Sequence, residues 1–194
     1  MKNHFLLKIF LFFLPFTFWG QNNLIIKSSV HTQKFISKLR NAKIDTIIIY
    51  NKYCTGCETT SINEEPMYEE GFLNTHIIWL KNGKAFTKKF ISPNIDEKEN
   101  QIKIIDFLNY FYEHKKELNS KKEYFKKHKF FPPNPVHDYY EELIFTTKKD
   151  KELILLSEHQ KSDEFWHKFS WIPTSRKIME LIRNELNQKI NSEN

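Results

Sequence analysis

Residues 77–90 read IIWLKNGKAFTKKF, two apolar–aromatic runs on either side of Asn82-Gly83. An Asn-Gly pair tolerates the two positive φ angles of a type I′ turn, whose twist matches that of paired strands. The stretch therefore predicts a two-residue β-hairpin, with Trp79 opposite Phe86 on one sheet face and Leu80 opposite Ala85 on the other. A hairpin needs a sheet to join. Upstream, residues 46–50 (TIIIY) are β-branched and apolar at successive positions, so the run has no solvated face and reads as a central strand. Downstream, residues 143–147 and 153–156 form a second hairpin through the charged turn Lys148-Lys149-Asp150-Lys151.

Helical periodicity accounts for much of the rest. Ser28 or Ser29 caps a helix carrying Val30, Phe35, Ile36 and Leu39, with a boundary near Asn41. A second helix is expected over residues 101–118, with Ile102, Ile105, Leu108, Phe111 or Tyr112, and Leu118 on one stripe. A third starts near Thr174 and presents Met179, Ile182, Leu186 and Ile190. Residues 58–75, with Pro66 and Gly71, have loop composition, and the basic–aromatic run KKEYFKKHKFF (121–131) leads into Pro132, Pro133 and Pro135 as a connector. The expected fold is α+β, a single mixed sheet of about five strands with about three packed helices.

The N-terminus sets the compartment. Lys2 precedes an apolar run over residues 5–19, interrupted only by Lys8, Pro15 and Thr17. That run is too short for a bilayer span and fits a signal peptide, with Gly20 as the small residue before the cut. Residues 1–20 are thus expected to be the signal peptide and 21–194 a single domain, in a protein exported to the periplasm or beyond. It would be envelope-anchored if the signal is not cleaved. No later segment is long and apolar enough to be a transmembrane span. The chain has a formal charge of +6, of which Lys2 and Lys8 supply two, and arginine occurs only at Arg40, Arg176 and Arg183. Base and phosphate recognition favours the arginine fork, so nucleic acid is not the expected partner.

Both cysteines fall in YCTGCE, residues 53–58. Three readings are open for Cys54 and Cys57: a redox couple, a metal clip and a local disulfide. In an oxidising compartment the default state is a disulfide. A redox couple needs a first thiol of depressed pKa, usually at a helix N-terminus or beside a cation. Here Glu58, Thr59, Thr60, Ser61 and Ile62 follow the pair, weak helix formers led by a negative charge. A structural zinc site needs four ligands, and no second Cys pair or suitably spaced His pair accompanies this one, although His76 and His31 are candidates to approach it. Glu58 stands where covalent haem attachment requires histidine. No P-loop, G-x-S-x-G, H-E-x-x-H or dinucleotide fingerprint occurs, so neither a cofactor nor a metal is expected.

The order helix 30–41, strand 46–50, Tyr53-Cys54-Thr55-Gly56-Cys57, hairpin IIWLKNGKAFTKKF and helix 102–118 resembles part of a thioredoxin-like fold. In that family an aromatic residue precedes the first cysteine, as Tyr53 does here, and a KNG turn joins two late strands. The resemblance covers roughly half of the chain beyond the signal peptide and implies thiol–disulfide exchange at Cys54 and Cys57. Thr75 and His76 stand where the family carries a proline before the hairpin, and Ile48 where it carries a buried acid. As a whole the chain is similar to uncharacterised, lysine-rich exported α+β proteins of Gram-negative bacteria, a resemblance that implies no activity. The leading expectation is a non-enzymatic binding or structural protein with a local Cys54–Cys57 disulfide, with another protein as the candidate partner. The alternative is a divergent thiol–disulfide protein with a reduced thioredoxin-like core. His137, Asp138, Glu141 and Glu142 are expected on a solvated strand edge. The ring-rich stretch 165–171 is expected to pack beneath the last helix.

Overall fold

The structure is a computed structural model and describes residues 30–56, 72–91, 95–96, 98–127 and 135–188. Residues 1–20, where a signal peptide is expected, lie outside the described residues, as do Ser28, Ser29, Cys57, Glu58 and Ile190. Seven strands among the described residues form one sheet, β1 (Ile47–Thr55), β2 (Phe72–Lys81), β3 (Lys84–Ile91), β4 (Ile95–Asp96), β5 (Asn100–Ile102), β6 (Asp138–Thr146) and β7 (Lys151–Ser157). The order is β4-β3-β2-β1-β6-β7, with β5 also on the outer edge of β3. Every pairing is antiparallel, where the sequence led us to expect a mixed sheet. The class is α+β, with more strands and helices than expected. Among the described residues the helices are α1 (Val30–Asn41), α2 (Ile105–Glu113), α3 (Lys115–Lys127), α4 (Glu158–Ser162), α5 (Glu164–His167) and α6 (Trp171–Gln188).

Both hairpins form. Asn82 and Gly83 have φ of 52° and 73°, the pair of positive angles a type I′ turn requires. Trp79 pairs with Phe86, and their rings stack 5.8 Å apart. The strand runs back to Phe72, so residues 72–75 belong to β2 rather than to a loop. The TIIIY run is central because each face meets a different helical layer. Ile47 and Ile49, with Ile77, Trp79 and Phe90, pack on Phe35 and Leu39 of α1. Ile48 and Tyr50, with Ile78, Leu143 and Leu156, pack on Phe107 and Phe111 of α2, Trp166 of α5, and Ile178, Met179 and Ile182 of α6. Two covered faces explain an uninterrupted apolar run on β1.

The expected helix 101–118 is divided. Residues 100–102 pair with the edge of β3, the helix starts at Ile105, and it breaks at His114 before α3. Its buried positions are Phe107 and Phe111, in line with Ile104, whereas Ile105 and Tyr112 are exposed. The apolar stripe is therefore shifted by one residue from the expected one. Residues 121–127 are helical, not a connector, and Tyr124 packs its ring against Phe169 and Trp171. The last helix begins three residues before Thr174, with Pro173 accommodated in its first turn, where no intrahelical N–H partner is needed. Among the described residues no helix is long and apolar enough to cross a membrane.

Candidate functional site

Strand β1 does not end before the cysteines. It continues through Cys54 to Thr55, and Cys54 sits opposite Tyr139 on β6, buried, with its sulfur 3.4 Å from the Thr55 carbonyl oxygen. The next residue shows why the spacer carries a glycine. Gly56 has φ of 65°, and a Cβ there would lie 2.6 Å from the Val136 carbonyl oxygen and 2.9 Å from Nδ1 of His137. Only glycine fits both the backbone angle and the approach. The cysteine loop is thus docked on residues 136–138, and the Thr55 hydroxyl donates to the Asp138 carbonyl oxygen at 3.5 Å. The pairing of Cys54 with Cys57 falls outside the described residues.

Alternation along β1 places Tyr50, Lys52 and Cys54 on one face. The register sets Lys52 opposite Glu141 and Cys54 opposite Tyr139. Here the solvated edge expected for residues 137–142 is overturned. Asp138, Glu141 and Glu142 are buried, because β6 lies between β1 and β7 and has no outer edge. His137 alone of the four is exposed. Two buried glutamates on one strand require donors on both faces.

On the α1 face, Asn51 donates its amide to Glu142 at 2.7 Å and accepts the Thr75 hydroxyl at 2.8 Å. Beside them Tyr53 stacks on Tyr140, with ring centroids 5.2 Å apart and planes 11° from parallel. On the opposite face Glu141 accepts from the Tyr50 hydroxyl at 2.5 Å and from Lys161 of α4 at 2.8 Å. Nη1 of Arg183, from α6, lies 2.7 Å from each of its carboxylate oxygens. Burial alone would raise the Glu141 pKa, but hydrogen bonds from Lys161, Tyr50 and Arg183 outweigh it and hold the group at about 2. The same bond, added to burial, pushes the Tyr50 hydroxyl well above its ordinary range. Burial, then the neighbouring Glu142 charge, pushes Tyr53 up to about 12, so both phenols stay protonated at neutral pH.

Glu141, at the centre of this network, lines a cavity of about 340 Å³. Lys52 and Tyr53 of β1, Tyr139 and Tyr140 of β6, Glu158 of α4 and Arg183 of α6 line the remainder. Its size lies at the lower end of the range for small-molecule sites. The Lys52 ammonium is 3.9 Å from Glu141, outside hydrogen-bond distance, and nearly half exposed.

The structure brings Cys54, Lys52, Tyr139 and Glu141 together at one end of the sheet. It places His76 opposite Tyr50, four positions back along β1 from Cys54, and His31 on α1 across the sheet. No group of three or more His, Cys, Asp or Glu among the described residues is arranged to hold a metal ion. Sequence reasoning missed Tyr50, Lys161 and Arg183. One signal existed for Arg183, which stands four residues after Met179 on the apolar stripe of the last helix and is one of only three arginines. No protein-family model matches the chain, and neither does any curated protein or solved structure.

Proposed function

We propose that the chain is an exported, non-enzymatic binding protein, periplasmic or secreted, whose ligand enters the Lys52–Tyr139–Arg183 cavity and whose cysteine pair is a local disulfide clamping its rim. The observation that carries this reading is the setting of Cys54: buried, in the penultimate position of a central strand, with strand backbone on both sides of it. Strand backbone lends a thiolate no helix dipole. Glu141, the acid in the cavity wall, is tied to three donors and held at about 2, which makes it too weak a base for proton abstraction near neutral pH. The cavity, the stacked tyrosines at its border and the partly exposed Lys52 suit recognition better than turnover.

One observation favours the thiol–disulfide alternative. The His137 ring borders Gly56 inside the CTGC loop, and an imidazolium there would stabilise a thiolate. Together with the thioredoxin-like order of elements around the cysteines, it keeps the redox reading as the rival. Insulin reduction in the presence of dithiothreitol separates the two. The binding reading expects the rate of the dithiothreitol blank, whereas a rate increase that vanishes in Cys54→Ser would overturn it.

A further inference from the structure

A second cavity, of about 110 Å³, lies beside the first and shares Lys52 and Arg183 with it. The strand register explains its composition. Tyr50 pairs with His76 and His76 with Lys89, which makes one row across β1, β2 and β3. Lys52 pairs with Asn74 on one side and Glu141 on the other, which makes the adjacent row on the same face. Arg183, Leu186 and Asn187 of α6 close the space from above. Among the described residues that line this second cavity, two are lysines, one is an arginine, one is a histidine and none is a carboxylate. The one acid in the neighbouring row, Glu141, is already matched by Arg183, Lys161 and Tyr50. Among the described residues Lys52 makes no short contact: its approaches are 3.9 Å to Glu141 and 5.9 Å to the Tyr50 ring.

We propose that the two cavities are one site for an organic anion. The oxyanion head, a phosphate or a carboxylate, sits in the smaller cavity against Lys52. The less polar body extends past Arg183 towards the exposed ring of Tyr139 in the larger one. A partly desolvated space rich in cations concentrates an anion and strengthens each charge-assisted hydrogen bond to it. Arg183 serves here as a fixed wall, because its guanidinium is anchored on Glu141, and Lys52 is the ammonium able to swing onto the ligand. The tyrosine side offers a flat ring for the body of the ligand.

This inference rests on the binding reading above, and its failure is distinguishable: a redox-active cysteine pair would not alter anion binding, nor would absent anion binding alter the cysteines. The experiment titrates the folded protein at low ionic strength with phenyl phosphate, benzoate and neutral benzyl alcohol, by calorimetry and by amide chemical shifts. Saturable binding is expected for phenyl phosphate or benzoate, and the stronger of the two identifies the head group. Benzyl alcohol should bind at least tenfold more weakly. Lys52→Met should weaken the anion at least tenfold, while Lys116→Met, an exposed lysine on α3, should leave it unchanged. Binding of neither anion by the unaltered protein would overturn the proposal, as would equal losses in the two lysine variants.

Discussion

Arg183 on the last helix and Glu141 on an interior strand, 42 positions apart, meet with one guanidinium nitrogen 2.7 Å from both carboxylate oxygens. The contact ties α6 to the sheet at the point where the apolar core gives way to the cavity. Glu141 is 5% exposed, so it cannot turn to water for a replacement donor. Arg183→Met should therefore destabilise the fold. Removing one partner of a fully buried pair costs about 3–5 kcal/mol, but Tyr50 and Lys161 remain and Arg183 is itself partly exposed, so about 1–3 kcal/mol is expected. Urea unfolding of the variant would measure it, and an unchanged midpoint would contradict the role given to the pair.

The same carboxylate predicts an acid-sensitive fold. Its folded pKa of about 2 lies below the ordinary 4.5, so the unfolded chain takes up the proton first. Stability from this group is complete above pH about 4.5 and is lost as pH falls towards 2, amounting to about 3 kcal/mol over the window. Glu141→Gln lacks that dependence. The stability gap between the natural protein and Glu141→Gln should be constant near neutral pH and close between pH about 4.5 and 2. Thermal melts across this range test it, and a gap independent of pH would contradict it.

Two glycines with positive φ should respond differently to alanine. Gly83 faces open space at its turn, so Gly83→Ala should cost about 1 kcal/mol, the backbone term alone. At Gly56 the added methyl meets the Val136 carbonyl oxygen, so the cysteine loop must lift off residues 136–138 and the cost should exceed 2 kcal/mol, roughly. Equal costs in denaturant unfolding would mean that the loop is not docked.

Local signals were legible in the sequence and long-range ones were not. The Asn82-Gly83 turn, the 30–41 helix and the second hairpin depend on residues a few positions apart, and each formed where periodicity and turn chemistry put it, the second hairpin's turn lying one residue earlier than the expected 148–151. The start of the 105–113 helix was misplaced because Ile102 satisfies the helical stripe and an edge strand equally well, and only the open edge of β3 decides between them. Glu141 and Glu142 looked like an edge because charge on a strand usually marks one. Their partners Tyr50 and Asn51 each lie 91 positions away, a pairing no local window contains. Cys54 was placed beyond the strand for a related reason: Asn51, Lys52 and Tyr53 look like a strand exit until β6 is laid against them.

The central claim is that Cys54 and Cys57 clamp the rim of a binding cavity and do not exchange electrons. The reduction potential of the pair, measured against a glutathione or dithiothreitol series, tests it most directly. A structural disulfide here should have a potential below about −300 mV. A value within about −120 to −270 mV, the span of dedicated oxidoreductases, would contradict the account and make the thiol–disulfide reading the better one.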